Sequence, residues 1–427
     1  MKWVLIFVGI AAFLGSSLVS ANSLTERQFR QLEKAQELVA EEKYSEALVE
    51  TDNAANEWEE GLGLVLILQL RGQTYQMLDE TDKALESYRK ALDIGILEGT
   101  RRSSLAMVVA QFYLVQERPS DARAVLIPAL KAPAGEGLNH AAQAYILVAM
   151  SYQTEENWRA SLPWIYQAEE FARDIPENWL LMRAAAEFQV ADYPAAELTM
   201  KRLISRAPDK RNYWIQLAAT QQFQEKQREQ LATLELAHQR GLLDDSMEEM
   251  LMIQLQGAEG MPARAARNLQ SRLERSTESH RERDRDSGSD AGKSGHRKGD
   301  HDHDRPRRGQ RDAHSDEVDL LVAYQRQSRD FSMAAQTMTK HKSGKVDDAI
   351  QLAEMDGNCK LAVDIADKHH RRIKGASMLS AGRCALELQR TGDARVWFQR
   401  ATKDAKSVNV ATQWLTYLQQ LTNAGLR

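Results

Sequence analysis

The chain has few of the features that mark the common classes of enzyme and cofactor-binding protein. Its 427 residues contain no glycine-rich phosphate loop, no nucleophile elbow and no pair of histidines at metal-binding spacing in the helical repeats. We therefore expect a protein that is not an enzyme and needs no cofactor. A net charge of −5, with 27% charged residues of both signs, favours neither nucleic acid nor a membrane surface as the partner.

Cysteines and long apolar runs are also scarce. Two cysteines allow at most one disulfide, so the fold must depend on packing. One apolar run extends from Trp3 to Leu14, follows Lys2 and precedes the small residues of Val19 to Ala21. This pattern predicts a signal peptide over residues 1–21 and export to the periplasm of a Gram-negative bacterium, with an uncleaved N-terminal anchor as the alternative. No later segment has membrane length, so we expect no membrane span after signal removal.

A helical repeat dominates what is present. The residues between positions 68 and 91 that carry it are Leu68, Gly72, Tyr75, Ala84, Tyr88 and Ala91. This spacing is that of a tetratricopeptide repeat, in which small residues let two antiparallel helices cross closely and larger side chains fill the space between neighbouring pairs. Similar residues return about every 34 to 39 positions in the first half of the chain. The sequence therefore predicts an all-α protein, an α-solenoid of tetratricopeptide-like helix-turn-helix repeats.

The repeats predict five segments. After the signal peptide, residues 22–275 form an N-terminal solenoid of about seven repeats, and residues 276–315 form a disordered insertion rich in His, Asp and Arg. Residues 316–406 form degenerate repeats, and residues 407–427 form a capping helix and tail. The insertion divides the solenoid into two parts in this interpretation.

The insertion also contains the weak metal-binding candidates His301 and His303. Each is followed by an aspartate, and imidazole with carboxylate at short spacing can hold a transition metal. The alternative is a solvated linker with exposed histidines, because a disordered site binds without fixed geometry. We expect no metal at this segment.

The two cysteines fall on helices that should pack together. In the repeat register Cys359 lies near the start of a second helix, and Cys384 lies in the first helix of the next unit. Export would favour a disulfide between them. The alternative is that each is a small buried repeat residue.

The first helix of each pair is expected to line a groove that binds protein segments. The candidate groove residues are Gln36, Gln69, Gln73, Gln76, Met107, Gln111, Gln143, Met150 and Gln153. Lysine and asparagine, which would clamp a terminal carboxylate, are missing there. Glutamine and methionine instead suit an extended or helical peptide, although glutamine is also a good helix former on a wet face.

Several strings resemble an exported bacterial family. They are Leu24–Leu38, Lys43–Leu48, Glu177–Trp179, Asp209–Leu217, Leu234–Leu243 and Met261–Leu269. These strings resemble the tetratricopeptide accessory proteins of TonB energy-transduction systems. The resemblance implies a periplasmic accessory whose partners are TonB, ExbB or ExbD-like proteins, and it transfers no functional residue.

Three functions remain open. The first is a non-catalytic scaffold within a TonB, ExbB and ExbD system for outer-membrane uptake. The second is an adaptor in cell-envelope biogenesis that binds outer-membrane or peptidoglycan-synthesis partners. The third is a metal-responsive protein that acts through His301 and His303.

Overall fold

A computed structural model describes residues 24–130, 138–244, 246–289, 308–341 and 345–423. These residues form helices and connections, with no strand in the described ranges. The predicted signal peptide, together with His301 and His303, lies outside them. None of the described helices is both long and apolar enough to cross a membrane.

The described residues form helices α1 to α21. Their bounds are α1 Glu26–Ala40, α2 Tyr44–Glu57, α3 Leu62–Met77, α4 Thr81–Asp93, α5 Gly99–Val115, α6 Pro119–Leu130, α7 Leu138–Thr154, α8 Trp158–Phe171, α9 Glu177–Gln189, α10 Tyr193–Arg206, α11 Arg211–Phe223, α12 Gln227–Gln239, α13 Met247–Ala258, α14 Pro262–Ser289, α15 Arg308–Gln327, α16 Phe331–Lys340, α17 Val346–Met355, α18 Cys359–His369, α19 Gly375–Glu387, α20 Thr391–Ala401 and α21 Val408–Asn423. Helices α1 to α20 form ten successive pairs, pair 1 to pair 10, and the fold is the predicted α-solenoid.

Each pair turns from its first helix (helix A) to its second (helix B) through one left-handed residue, here called the turn residue. The turn residues are Glu42, Asp79, Glu117, Glu156, Ala191, Glu225, Gly260, Arg329, Gly357 and Gln389. In all ten pairs the N–H of the following residue donates to the carbonyl five residues earlier, over 2.8 to 3.0 Å. This bond satisfies a carbonyl at the end of helix A and ends the helix there.

Helices A and B pack through two buried positions, one on each helix. One lies seven residues before the turn residue and the other nine after it, and both are buried in every pair. Gly72 faces Tyr88 and Gly382 faces Phe398, whereas the equivalent positions of pair 9 are Ile350 and Ala366. In these pairs a large side chain on one helix accompanies a small one on the other, whereas pairs 7 and 8 combine two larger residues, Ile253 with Leu269 and Val322 with Met338.

The chain divides into two compact units, one extending through Leu203 and one beginning at Ile204. Unit 1 contains pairs 1 to 4, with α9 and most of α10. Its core includes Tyr113, Leu126 and Ile165, all almost fully buried. Unit 2 contains pairs 6 to 10 and α21.

Unit 2 is continuous on both sides of the predicted insertion. Helix α14 extends to Ser289 and α15 begins at Arg308, so helical backbone enters residues 276–315 from both ends. Leu273 of α14 packs with Val318 and Leu321 of α15 in one apolar core. The apolar residues that begin at Val318 explain why α15 joins the stack. The insertion therefore interrupts the sequence pattern but not the packing of α14 against α15.

Helix α21 covers the last pair. The Trp414 ring stacks on Phe398 of α20, with ring centroids 5.5 Å apart and planes 5° from parallel. Ala411 and Leu418, which belong to α21, are also buried. Helix α21 is thus a cap of the kind that repeat arrays need at an open end.

Candidate protein-interaction surface

Helix A of each pair in unit 1 carries one stripe of side chains that is almost free of charge. We define the A-helix stripe as the residues 13, 10, 9, 6, 3 and 2 positions before the turn residue, which share one helix face because of their spacing. In pairs 1 to 5 the stripe consists of Phe29, Leu32, Glu33, Gln36, Val39, Ala40, Leu66, Gln69, Leu70, Gln73, Gln76, Met77, Ser104, Met107, Val108, Gln111, Leu114, Val115, Gln143, Ile146, Leu147, Met150, Gln153, Thr154, Asn178, Leu181, Met182, Ala185, Phe188 and Gln189. Glu33 is its single charged member.

All nine predicted groove residues lie on this stripe, but they differ in exposure. Gln36 and Gln143 are exposed, whereas Gln69, Gln73, Gln76, Gln111, Met150 and Gln153 are half-buried. Met107 is only 7% exposed and belongs to the core of unit 1. Its side chain is therefore unavailable to a partner.

Two of the predicted glutamines already hold structural hydrogen bonds. The Tyr88 hydroxyl donates to Gln76 Oε1 over 3.3 Å. The Gln153 side-chain amide donates to the Met182 carbonyl over 3.2 Å, which ties α7 to α9. Gln76 retains its own amide donors, but Gln153 contributes to the stack as well as to the surface.

A cavity of about 360 Å³ lies between the ends of α3 and α5. Its lining includes Gln76 and Met77 from α3 and Gln111 and Val115 from α5. Met77 and Val115 are 54% and 52% exposed. Exposed apolar side chains beside two amides form the kind of pocket that anchors a partner's apolar side chain.

The sequence analysis omitted Met77 and Val115. Met77 and Val115 each lie two positions before a turn residue. They follow the predicted glutamines of the same helices toward the end of helix A. The same register would have found them if it had been extended to the end of each helix A. The structure thus adds an apolar component to the predicted glutamine row.

One buried carboxylate in unit 1 is fully engaged in structural bonds. Glu187 is fully buried and accepts hydrogen bonds from Arg183 Nε and Thr199 Oγ1, each over 2.7 Å. The Tyr166 hydroxyl also donates to Glu187 over 3.2 Å, and burial together with the Glu187 charge raises the pKa of Tyr166 to about 12. Tyr166 therefore remains a protonated donor. This group ties α8, α9 and α10 together.

Three potential metal ligands lie together in unit 2. His238 Nδ1 lies 3.8 Å from an Asp244 carboxylate oxygen and 3.7 Å from Glu249 Oε1. However, Arg275 and Arg272 donate to the two Glu249 oxygens over 2.6 and 3.1 Å. Two guanidinium charges on the central carboxylate oppose a cation there. The arrangement suits an ion-pair network that joins α13 to α14.

The structure joins Cys359 to Cys384 in a disulfide, with Cα atoms 4.6 Å apart. Cys359 is the first residue of α18 and Cys384 lies within α19, the positions that the register predicts. The bond links helix B of pair 9 to helix A of pair 10. It is therefore a link within the stack of unit 2.

Comparison with known proteins gives structural likeness alone. No protein-family model and no curated protein matches the chain. Three solved structures that are similar in part are a tetratricopeptide repeat protein from Parabacteroides merdae, the C-terminal part of a repeat-containing protein from Cytophaga hutchinsonii, and YrrB, described as a tetratricopeptide protein with an unusual peptide-binding site. In that order, their sequence identities are 17%, 12% and 16%, and their TM-scores are 0.37, 0.41 and 0.36. The alignments cover 58%, 57% and 44% of this chain and 93%, 94% and 90% of those chains.

Proposed function

We propose that this protein is a non-catalytic scaffold that binds a segment of a partner protein along the A-helix stripe of unit 1. The observation that carries the proposal is the cavity between α3 and α5, where half-buried Gln76 and Gln111 lie beside the exposed Met77 and Val115 on a stripe that is almost free of charge. Amides can bond to a partner's backbone, and apolar groups beside them can bury its side chains. Helix α1 is in contact with α3 and α5 with α7, and residues of α3 and α5 line one cavity, so one segment can contact several repeats.

The test is a triple substitution on the stripe. Replacing Gln73 with Ala, Gln111 with Ala and Met150 with Gln removes two amides and one apolar contact from three successive pairs. We expect partner capture to fall several-fold while the thermal midpoint changes little, because the two glutamines hold no structural hydrogen bond in the described residues. Met150 is half-buried, so the thermal midpoint of the single variant Met150→Gln should be measured separately.

A matched control comes from unit 2. Gln351 occupies the same stripe position in pair 9 as Gln73 and Gln111 in their pairs, and it is exposed. Gln351→Ala should leave capture unchanged. Capture that survives the triple substitution would contradict the proposed surface.

We further propose that the scaffold works in the periplasm as an accessory of a TonB, ExbB and ExbD assembly. Support comes from the resemblance of strings such as Asp209–Leu217 and Leu234–Leu243 to that family, and from the signal-like N-terminal segment. Crosslinked pull-down from periplasm-facing fractions should recover TonB or ExbD with the wild-type protein and less with the triple variant. Recovery of envelope-assembly proteins without TonB and ExbD would reject this partner assignment and retain the scaffold.

A further inference from the structure

A row of carboxylates borders the A-helix stripe in unit 1. The turn residues of pairs 1 to 4 are Glu42, Asp79, Glu117 and Glu156, with φ between 56° and 60°. That backbone region favours glycine, which pairs 7 and 9 use at the same position, Gly260 and Gly357. Four successive pairs thus place a negatively charged side chain at a position where the backbone conformation favours glycine.

These four carboxylates are exposed and, within the described residues, take part in no ion pair. Their acidic neighbours behave differently. Glu41 pairs with Lys43 over 2.8 Å, and Glu155 pairs with Arg123 over 2.8 Å. Glu80 similarly pairs with Lys83, so the turn carboxylates are distinguished by having no basic partner among the described residues of their own chain.

The row lies directly beside the cavity between α3 and α5. Asp79 is one of the residues that line the cavity, and it follows Met77 by two positions. Glu117 follows Val115 by the same interval. A segment whose apolar side chain enters the cavity therefore passes next to the negative charge of Asp79, and Glu117 lies two residues beyond the lining residue Val115.

We propose that the occupant is an extended partner segment that places a large apolar side chain in the α3–α5 cavity and basic side chains against the turn carboxylates. This inference rests on the proposed function and specifies the chemistry of the partner. Helices α1 and α3, and likewise α5 and α7, are in contact, which places them about 8 to 10 Å apart, and three residues of polyproline II chain span about 9 Å. Such a segment can therefore present one basic side chain to each successive pair.

The probe is a set of fluorescently labelled peptides, each made of four identical triplets. The triplets are Leu-Pro-Lys, Leu-Pro-Gln and Leu-Pro-Glu, which keep the apolar pattern and change only the charge. We expect the lysine peptide to bind the full-length protein about five- to tenfold more tightly than the glutamine peptide, and the glutamate peptide to bind most weakly. Added salt should reduce the advantage of the lysine peptide, because the carboxylates are exposed.

The decisive variant carries Glu42→Gln, Asp79→Asn, Glu117→Gln and Glu156→Gln, which keep the side-chain shapes. It should bind the lysine and glutamine peptides equally. The matched control, Glu59→Gln with Glu60→Gln and Glu98→Gln, removes three exposed carboxylates from the opposite ends of the helices and should keep the lysine preference.

Three results would overturn the proposal: equal binding of all three peptides to wild type, a charge preference that survives in the decisive variant, or no binding of any peptide. Failure here differs from failure of the proposed function. If partner capture still depends on Gln73, Gln111 and Met150, the surface stands and only the extended basic segment is rejected. If capture is independent of those residues, the surface itself is rejected.

Discussion

The same stripe positions have opposite chemistry in pairs 1 to 5 and in pairs 8 to 10. In the first group Glu33 is the single charge, whereas the later group includes Asp319, Asp347, Glu354 and Arg383. These later charges are engaged with neighbouring elements of unit 2. Asp347 accepts from the Lys374 N–H and the Ser377 hydroxyl over 2.8 and 2.6 Å, and Arg383 binds Glu354 through two hydrogen bonds of 2.7 and 2.9 Å.

The same repeat therefore serves two different purposes in these two groups of pairs. In pairs 8 and 9 polar bonds join helix A to residues at or in the next helix A, and the disulfide adds a covalent link between α18 and α19. In pairs 1 to 5 the stripe retains amides and apolar groups that are open to a partner. The repeat therefore has a fastened region and a surface suited to binding, and four predictions can test that contrast.

The largest effect is expected from removing the disulfide. Its cysteines are 25 residues apart, and in the entropic account a crosslink that closes a loop of that size destabilises the unfolded chain by about 3.5 kcal/mol. Replacing Cys359 and Cys384 with Ser should raise hydrogen exchange in α18 to α20 and leave exchange in α3 and α5 unchanged. Partner capture should persist. An equal rise of hydrogen exchange in α3 and α5 would show that the two regions are not independent.

The second prediction concerns Gly382, whose repeat position is occupied by Ala in several other pairs. An added Cβ would lie 2.4 Å from the Phe398 ring, so Gly382→Ala should lower stability by about 1 to 3 kcal/mol. Denaturant unfolding followed by Trp fluorescence measures the change. Phe398→Leu should recover part of the loss, because pairs 3 and 6 combine Ala110 with Leu126 and Ala218 with Leu234. A double variant no more stable than Gly382→Ala would contradict the size-compensation argument.

The third prediction uses pH to release the Glu354–Arg383 bond. Burial alone would raise the pKa of Glu354, but hydrogen bonds from Arg383 and Ser380 and the Arg383 charge hold it below its ordinary value of 4.5. Stability from this carboxylate is therefore complete above about pH 4.5 and is lost as the pH falls through the lower folded-state pKa. Because Arg383 is more than one-third exposed, we expect less than about 1 kcal/mol.

The measurement is the urea midpoint of wild type and Glu354→Gln at pH 7 and at pH 3.5. The variant should be less stable at pH 7, and its difference from wild type should shrink as the pH falls below 4.5, since the wild-type carboxylate loses its charge as the pH passes its lowered pKa. A difference that stays constant between the two pH values would mean that the charge of Glu354 contributes nothing. Gln351→Ala, one helical turn earlier, serves as a control for the helix.

How much of this was predictable depends on sequence distance and backbone conformation. The spacing around Gly72 and Tyr88 predicts the helix pairs, since both residues act within one repeat. The Cys359–Cys384 prediction extends the same register to the next repeat. The Glu354–Arg383 bond joins residues 29 positions apart on two helices, and no local pattern selects that partner among other charges. The turn carboxylates were not predicted because a positive φ at a non-glycine residue leaves no signal in the sequence.

The smallest expected effect on stability provides the most direct test of the contrast. Gln111→Lys in pair 3 and Gln351→Lys in pair 9 place one positive charge at the same stripe position in the two regions. Each should change stability by less than about 0.5 kcal/mol, because neither glutamine is deeply buried. Only Gln111→Lys should reduce partner capture, since it adds a charge to the nearly uncharged stripe and repels the basic side chains of the proposed segment. An equal loss of partner capture in both variants would mean that the binding surface extends into unit 2. No loss of capture in either variant would mean that the low charge of the stripe has no role in binding.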